Sequence, residues 1–384
     1  MAQFDKERRR LAADMTRRGT WPARSPWIRA AIDALPRHQF APDRLWHWDG
    51  HAYVPVDRSD DAARWAAEVY ASPDAAAVTQ VTAGLATSSL SCQAVVVDML
   101  DSLLLEPGQR VLELGTGTGW NAALLAWRTG PGQVISVEVD PDLATPARTR
   151  LDALHPGVMV KVGDGAAGWP LGAPYERVIS TYAVEYLPWA WVEQTRPGGR
   201  IVTPWGQLGH VALTVADDGQ SASGWVQGLA QFMPARSTTT HRAHGFGQVR
   251  GTQAADDKRP FVRDLQPLQQ DWHLRFAVRV ALPDVQITMA EDGDGLNAWI
   301  HDGIASWAVL SALGDGTTVV DQGGPRRLAD ELEEAWDRWI TAGSPELYDF
   351  GMTIKADGTQ YMWANDAATG PRWPIHRTDH PAIA

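Results

Sequence analysis

The sequence predicts an α/β protein built on a mostly parallel, doubly wound sheet, with an N-terminal helical segment and a smaller C-terminal α+β domain. Three observations carry this expectation. From residue 109 onward, short apolar runs alternate with stretches of helical periodicity. The first run ends in a glycine-rich turn, Gly115-Thr116-Gly117-Thr118-Gly119. The next two lead into acids, Glu138 and Asp164.

Taken in order, Ser25-Pro26 gives a cap and first-turn signal, and Trp27, Ile28, Ala31, Ile32 and Leu35 follow on one helical face. A loop-rich stretch is expected around Trp46, Trp48 and Trp65. Residues 78–81 read as a short strand. The run Thr87-Ser88-Ser89-Leu90-Ser91 reads as the approach to a helix carrying Val95, Val96, Met99, Leu100 and Leu103. Strands at 110–114, 134–139, 158–162, 177–181 and 200–204 then alternate with helices at 120–128 and 143–154. A hairpin of 211–215 and 226–232, turned at Asp217-Asp218-Gly219, ends the sheet. Residues 236–258 read as a linker. Beyond it, strands are expected at 274–282, 298–310, 353–355 and 360–363. An amphipathic helix starts at Pro325, presents Leu328, Leu332, Ala335, Trp336, Trp339 and Ile340, and stops at Gly343. The expected partition is therefore 1–78, 79–235 and 236–384.

With 384 residues, 44% of them hydrophobic and 21% charged, two domains with real cores are expected. No apolar run is long enough for a membrane span, and the charged N-terminus lacks the apolar stretch of a secretory signal. A cytoplasmic protein is the expectation. The single cysteine, Cys92, excludes an internal disulfide, and the histidines show no metal-ligand pairing. A net charge of -12 disfavours a nucleic-acid partner, whose phosphates require a basic surface.

The turn at 115–119 follows a buried strand and opens a helix, where free backbone N–H groups face a ligand. Its spacing is G-x-G-x-G. Position 120 is Trp120 and not the third glycine of a dinucleotide fingerprint, so no pyrophosphate is implied. Glu138 lies about 20 residues beyond the loop, where a carboxylate accepts ribose hydroxyls, and Asp164 lies where an adenine edge would be met.

These residues resemble the protein-L-isoaspartate O-methyltransferase family. The resemblance spans about residues 1–235 and rests on Pro36-Arg37-His38-Gln39-Phe40, the serine segment before the first sheet helix, and residues 113–119, 162–165 and 196–206. It implies a class I methyltransferase, Rossmann-like in fold, with S-adenosyl-L-methionine as methyl donor and S-adenosyl-L-homocysteine as product. The implied cofactor residues are Glu113, Gly115, Thr116, Gly117, Gly119, Trp120, Asn121, Glu138, Val139, Gly163, Asp164 and Gly165. Trp120 is read either as a cofactor cover or as core.

A carboxylate is already anionic at pH 7, so its attack on a sulfonium methyl needs placement and not a general base. Ser91 is read either as an ordinary N-cap or as the group that holds the target carboxylate; the resemblance implies the second. Thr87, Ser88 and Ser89 are candidates for the peptide backbone. Tyr182, Glu185 and Tyr186 either shape the pocket or pack a loop. Cys92 is read as pocket lining or core.

The family's substrate segment reads Ser-Gln-Pro, where this chain has Ser91-Cys92-Gln93. Its Ala-Pro-Glu-Val-Pro corresponds here to Val184-Glu185-Tyr186-Leu187-Pro188. Both departures flank the expected substrate pocket, and the overall layout, with Trp189-Ala190-Trp191-Val192-Glu193-Gln194 and the long C-terminal extension, resembles actinobacterial members, some of which tailor ribosomal peptides. The expected activity is methylation of an aspartyl carboxylate in a macrocyclic precursor peptide, leading to aspartimide or isoaspartate, with the extension holding the peptide. Isoaspartyl repair is the alternative, and a catalytically inactive peptide-binding homologue a further one.

Overall fold

The computed structural model describes residues 4–154, 157–206, 208–236 and 245–376. The chain forms two compact units, Met1–Ser237 with Thr353–Thr359, and Thr238–Met352 with Gln360–Ala384. Among the described residues, no helix is long and apolar enough to cross a membrane.

The first unit opens with helices α1 (Asp5–Arg17) and α2 (Trp27–Ala34). Next come β1 (Arg44–Trp48), β2 (Tyr53–Asp57), α3 (Ala62–Val69), β3 (Ala77–Thr82) and β4 (Leu85–Leu90), whose strands form a sheet in the order β2-β1-β3-β4. Two expectations are corrected here. The stretch holding Trp46, Trp48 and Trp65 is not loop-rich: Trp46 and Trp48 lie on β1, and Trp65 is buried on α3, its indole N–H donating to the Pro42 carbonyl at 2.9 Å. Residues 87–90 are strand and not an approach to a helix. Thr82 faces Leu85 across a two-residue turn in which Ala83 (φ 51°) and Gly84 (φ 79°) are both left-handed, the geometry that suits a tight hairpin. The polar Thr87-Ser88-Ser89 run conceals the strand because its apolar alternation is missing.

Helix α4 (Gln93–Ser102) leads into the main sheet. This comprises β5 (Val111–Leu114), α5 (Trp120–Thr129), β6 (Val134–Glu138), α6 (Pro141–Leu154), β7 (Met159–Val162), β8 (Tyr175–Ser180), α7 (Trp189–Glu193), β9 (Thr195–Trp205), β10 (Gly209–Val215) and β11 (Ser221–Leu229). These strands run β11-β10-β9-β8-β5-β6-β7, and a strand that includes residues 353–355 lies on the far side of β11. Strand β5 pairs in parallel with β6 on one side and β8 on the other, so the order reverses beside it. Ligands of open α/β sheets bind outside the carboxyl ends of the strands at such a switch point. Val111, Leu112, Leu114, Val134 and Val137 are buried, consistent with a sheet covered on both faces. Residues 353–359 return to this unit beside β11: the Ser223 and Thr353 hydroxyls lie 2.8 Å apart, and the Ala356 N–H donates to the Gln220 carbonyl.

The second unit contains α8 (Phe246–Arg250), β12 (Asp257–Phe261), α9 (Gln266–Gln270), α10 (Trp272–Ala281), β13 (Gln286–Asp292), β14 (Gly295–His301), β15 (Trp307–Ala312), β16 (Thr318–Gly323) and α11 (Leu328–Thr341). Its antiparallel sheet runs β12-β16-β15-β14-β13. Of the expected linker, residues 237–244 lie outside the described residues, and the remainder includes α8 and β12. The expected strand at 274–282 is helix α10. Leu274, Phe276, Val278, Val280 and Leu282 do alternate, but Asp271 caps a helix by accepting the N–H groups of His273 and Leu274. The run at 298–310 is two strands, parted where Asp302 Oδ1 accepts from Ile304, Ala305 and Ser306.

Candidate active site

The β5–α5 turn requires its glycines. Gly115 has φ 96°, and a Cβ there would stand 2.5 Å from Thr181 Oγ1 at the end of neighbouring β8. That hydroxyl donates to the Gly115 carbonyl at 2.6 Å. Gly119 (φ 90°) packs against Leu151 of α6. A Cβ on Gly117 would approach the Ser88 hydroxyl and Ser89 carbonyl at about 4 Å, so strand β4 lies directly beside the loop.

Two carboxylates support this turn from below and from the side. Glu113 is fully buried on β5; Asn121 donates to it at 2.8 Å, and Ser136 also donates to it, its hydroxyl lying 2.6 Å from Thr116 Oγ1. Burial pushes the Glu113 carboxyl up to about 7 against the opposing effect of these bonds. Glu138 ends β6 and accepts the Gly117 N–H at 2.8 Å and the Asp140 N–H at 3.1 Å. Each carboxylate oxygen retains acceptor capacity for a further donor, as a ribose diol would supply. The Gly163 N–H donates to the Glu138 carbonyl, bringing the turn after β7 alongside.

On that turn Asp164 is exposed and accepts the Ala166 N–H. The Gly165 carbonyl accepts the Trp191 indole N–H, and a Cβ on Gly165 would meet the Tyr182 hydroxyl at 2.3 Å. Burial, then Asp164 and Glu138, raise the proton affinity of that hydroxyl, so it stays neutral. Val139 is half-exposed beside Glu138.

The structure bears on two of the alternatives. The Trp120 ring is 2% exposed, donates to the Leu35 carbonyl and lies against the Arg37 guanidinium, which places the ring in the core and not over a cofactor. Ser91 is not the cap of α4; Cys92 occupies that position and makes no side-chain capping bond. Among the described residues, the half-buried Ser91 hydroxyl has no hydrogen-bond partner. Cys92 is itself partly buried, and that burial raises its thiol pKa. Tyr186 donates to the Gly358 carbonyl, and Glu185 is exposed.

Three residues escaped sequence reasoning. Arg236, Asp140 and Gln80 form a closed set of hydrogen bonds beside Glu138. The Asp140-Pro141 pair carried a legible helix-start signal. Arg236 carried none, because its partners lie 96 and 156 residues away.

The protein-L-isoaspartate(D-aspartate) O-methyltransferase family model matches residues 17–238. The chain belongs to that family. Protein-L-isoaspartate O-methyltransferase 1 of Anaeromyxobacter sp. strain Fw109-5 is 36% identical over 200 residues, covering 51% of this chain and 80% of that protein. Protein-L-isoaspartate O-methyltransferase 2 of Archaeoglobus fulgidus is 32% identical over 253 residues, covering 64% and 98%. A solved structure of a protein-L-isoaspartate O-methyltransferase aligns over 94% of this chain and 100% of its own, with a TM-score of 0.50 and 18% identity, a likeness of fold. The family is one of S-adenosylmethionine-dependent carboxyl O-methyltransferases, and this chain is an enzyme of that kind. The glycine cradle and the Glu138 acceptors fit that cofactor, which when bound supplies an electrophilic methyl on a sulfonium.

Proposed function

We propose that the chain methylates the free carboxylate of an isoaspartyl residue in a peptide or protein. The observation that carries this reading is Ser91, a half-buried residue that does not cap α4 and whose hydroxyl has no hydrogen-bond partner among the described residues. Strand β4 runs from the side of the glycine loop, at Ser88 and Ser89, into Ser91 within a few residues. Ser91 is then the donor to the target carboxylate, and Thr87, Ser88 and Ser89 line the approach of the peptide. The cofactor residues are Glu113, Gly115, Thr116, Gly117, Gly119, Asn121, Glu138, Val139, Gly163, Asp164 and Gly165. No proton has to be removed from an ionised carboxylate, so the protein's task is to align oxygen with methyl and exclude water.

A second reading is esterification of one aspartate in a macrocyclic ribosomal peptide. It is favoured by the bond from Tyr186 to Gly358: the segment after β8 is tied to chain outside the family match, so this rim differs from the family's common part. A matched pair of peptides separates the readings. With labelled S-adenosylmethionine, an isoaspartyl peptide should acquire a base-labile methyl while its aspartyl twin does not. Turnover of a macrocyclic aspartyl peptide with none on the isoaspartyl one would replace the first reading by the second.

A further inference from the structure

Arg236 follows the last strand of the hairpin β10–β11 and touches three separate segments of the first unit. Its guanidinium donates to Asp140 Oδ2 at 2.8 Å, to the Gln80 side-chain oxygen at 2.8 Å and to the Thr87 carbonyl at 2.6 Å. The acceptors themselves are joined. Gln80 donates to the same Asp140 oxygen at 3.0 Å, and the Thr87 hydroxyl donates to Gln80 at 2.8 Å. Gln80 lies on β3 and Thr87 on β4, so Arg236 grips both strands of one hairpin.

The same contacts reach the cofactor cradle by two routes. Asp140 immediately precedes α6, accepting the Asp142 N–H on its other oxygen, and its own N–H donates to Glu138. Burial works to raise the Asp140 pKa, but the bonds from Gln80 and Arg236 hold it below the ordinary value, so the carboxylate stays charged and paired. From the hairpin side, Ser88 and Ser89 sit beside Gly117, whose N–H is bound by the other oxygen of Glu138. One guanidinium therefore fixes the two walls between which Glu138 is held. Its planar fork satisfies three acceptors at once, which a lysine ammonium on a flexible stem does less well.

We propose that Arg236 is a positioning residue that clasps the β3–β4 hairpin to the β6–α6 corner and so sets the affinity for S-adenosylmethionine. This rests on reading Glu138 as the acceptor of the ribose hydroxyls. A residue that serves only the fold would change stability without changing cofactor affinity in the folded protein.

The test uses the full chain and calorimetric titration with S-adenosylmethionine, alongside thermal unfolding, methyl-transfer kinetics and hydrogen exchange over residues 77–90. Arg236→Ala should weaken binding about tenfold or more and raise the KM for S-adenosylmethionine to match, with kcat at saturating cofactor little changed. Exchange over 77–90 should accelerate. Arg236→Lys should recover only part of the affinity, and it serves alone if the alanine variant does not fold. Arg44→Ala, which breaks an exposed ion pair with Asp57 in the same N-terminal sheet, should bind like the parent protein. Wild-type affinity in Arg236→Ala, or full recovery in Arg236→Lys, overturns the proposal. If Glu138→Gln loses affinity and Arg236→Ala does not, the clasp alone is refuted. If Glu138→Gln also binds normally, the reading of Glu138 falls and the clasp falls with it.

Discussion

Gly115 shows how tightly the cradle is specified at the level of one residue. A methyl there would sit 2.5 Å from the Thr181 hydroxyl, on a backbone that L side chains enter only at a cost of ~1–2 kcal/mol. Gly115→Ala should lower the melting temperature and abolish measurable cofactor binding in the same protein. Ser91→Ala should do the opposite: cofactor affinity unchanged, kcat/KM for the peptide reduced about 10–100-fold, the range for losing one hydrogen bond to a charged group. Glu113 gives a pH signature. Its folded-state pKa, about 7, lies above the ordinary 4.5, so between these values the folded protein holds a proton that the unfolded chain has released. Stability from this group is therefore full in acid and declines as pH rises towards 7, at up to about 1.4 kcal/mol per pH unit. Denaturant titrations at pH 5, 6 and 7 should show that decline as a difference between the parent protein and Glu113→Gln. The chemistry-bearing residues of this cradle were legible in the sequence because strand, glycine turn and acid occur at fixed intervals. Ser91's freedom from capping was not, since a serine before a helix reads identically either way.

At the scale of elements, the parallel core was readable because its strands are short apolar runs set between helical repeats. The misread elements share a cause: the local pattern pointed one way and the ends of the element another. Leu274 to Leu282 alternate as a strand would, and only the Asp271 cap reveals α10. Strand β4 is half polar where it meets the glycine loop, so the alternation that identifies a half-buried strand is lost there. Helix α6 offers a test of backbone energetics. Pro146 stands inside it, exposed, where it removes one helical hydrogen bond. Pro146→Ala should raise the urea midpoint, since interior proline costs a helix up to about 3 kcal/mol relative to alanine. An unchanged or lower midpoint would mean that the packing of α6 requires the proline.

At the scale of the whole molecule, the sequence suggested a cut at 236, whereas residues 353–359 belong with the first unit beside β11. The strand at 353–355 was readable from its local pattern, but its return to β11 after more than a hundred residues was not, because that pairing is a property of the fold alone. Truncation after residue 236 should therefore destabilise the methyltransferase unit, seen as a lower melting temperature than the full chain shows for that unit. It should also remove the Tyr186–Gly358 bond at the expected pocket rim. The family model matches only as far as residue 238, so whatever the second unit contributes to substrate choice lies outside that model.

In the proposed reaction one cradle holds the methyl donor while Ser91 holds the carboxylate it alkylates. A crystal structure of the chain with S-adenosyl-L-homocysteine and an isoaspartyl peptide tests it most directly. Both ribose hydroxyls should lie on the Glu138 carboxylate, with the peptide carboxylate hydrogen-bonded to Ser91 and facing the cofactor sulfur. A nucleoside bound elsewhere, or a peptide carboxylate seated away from Ser91 with that hydroxyl still unpartnered, would contradict it.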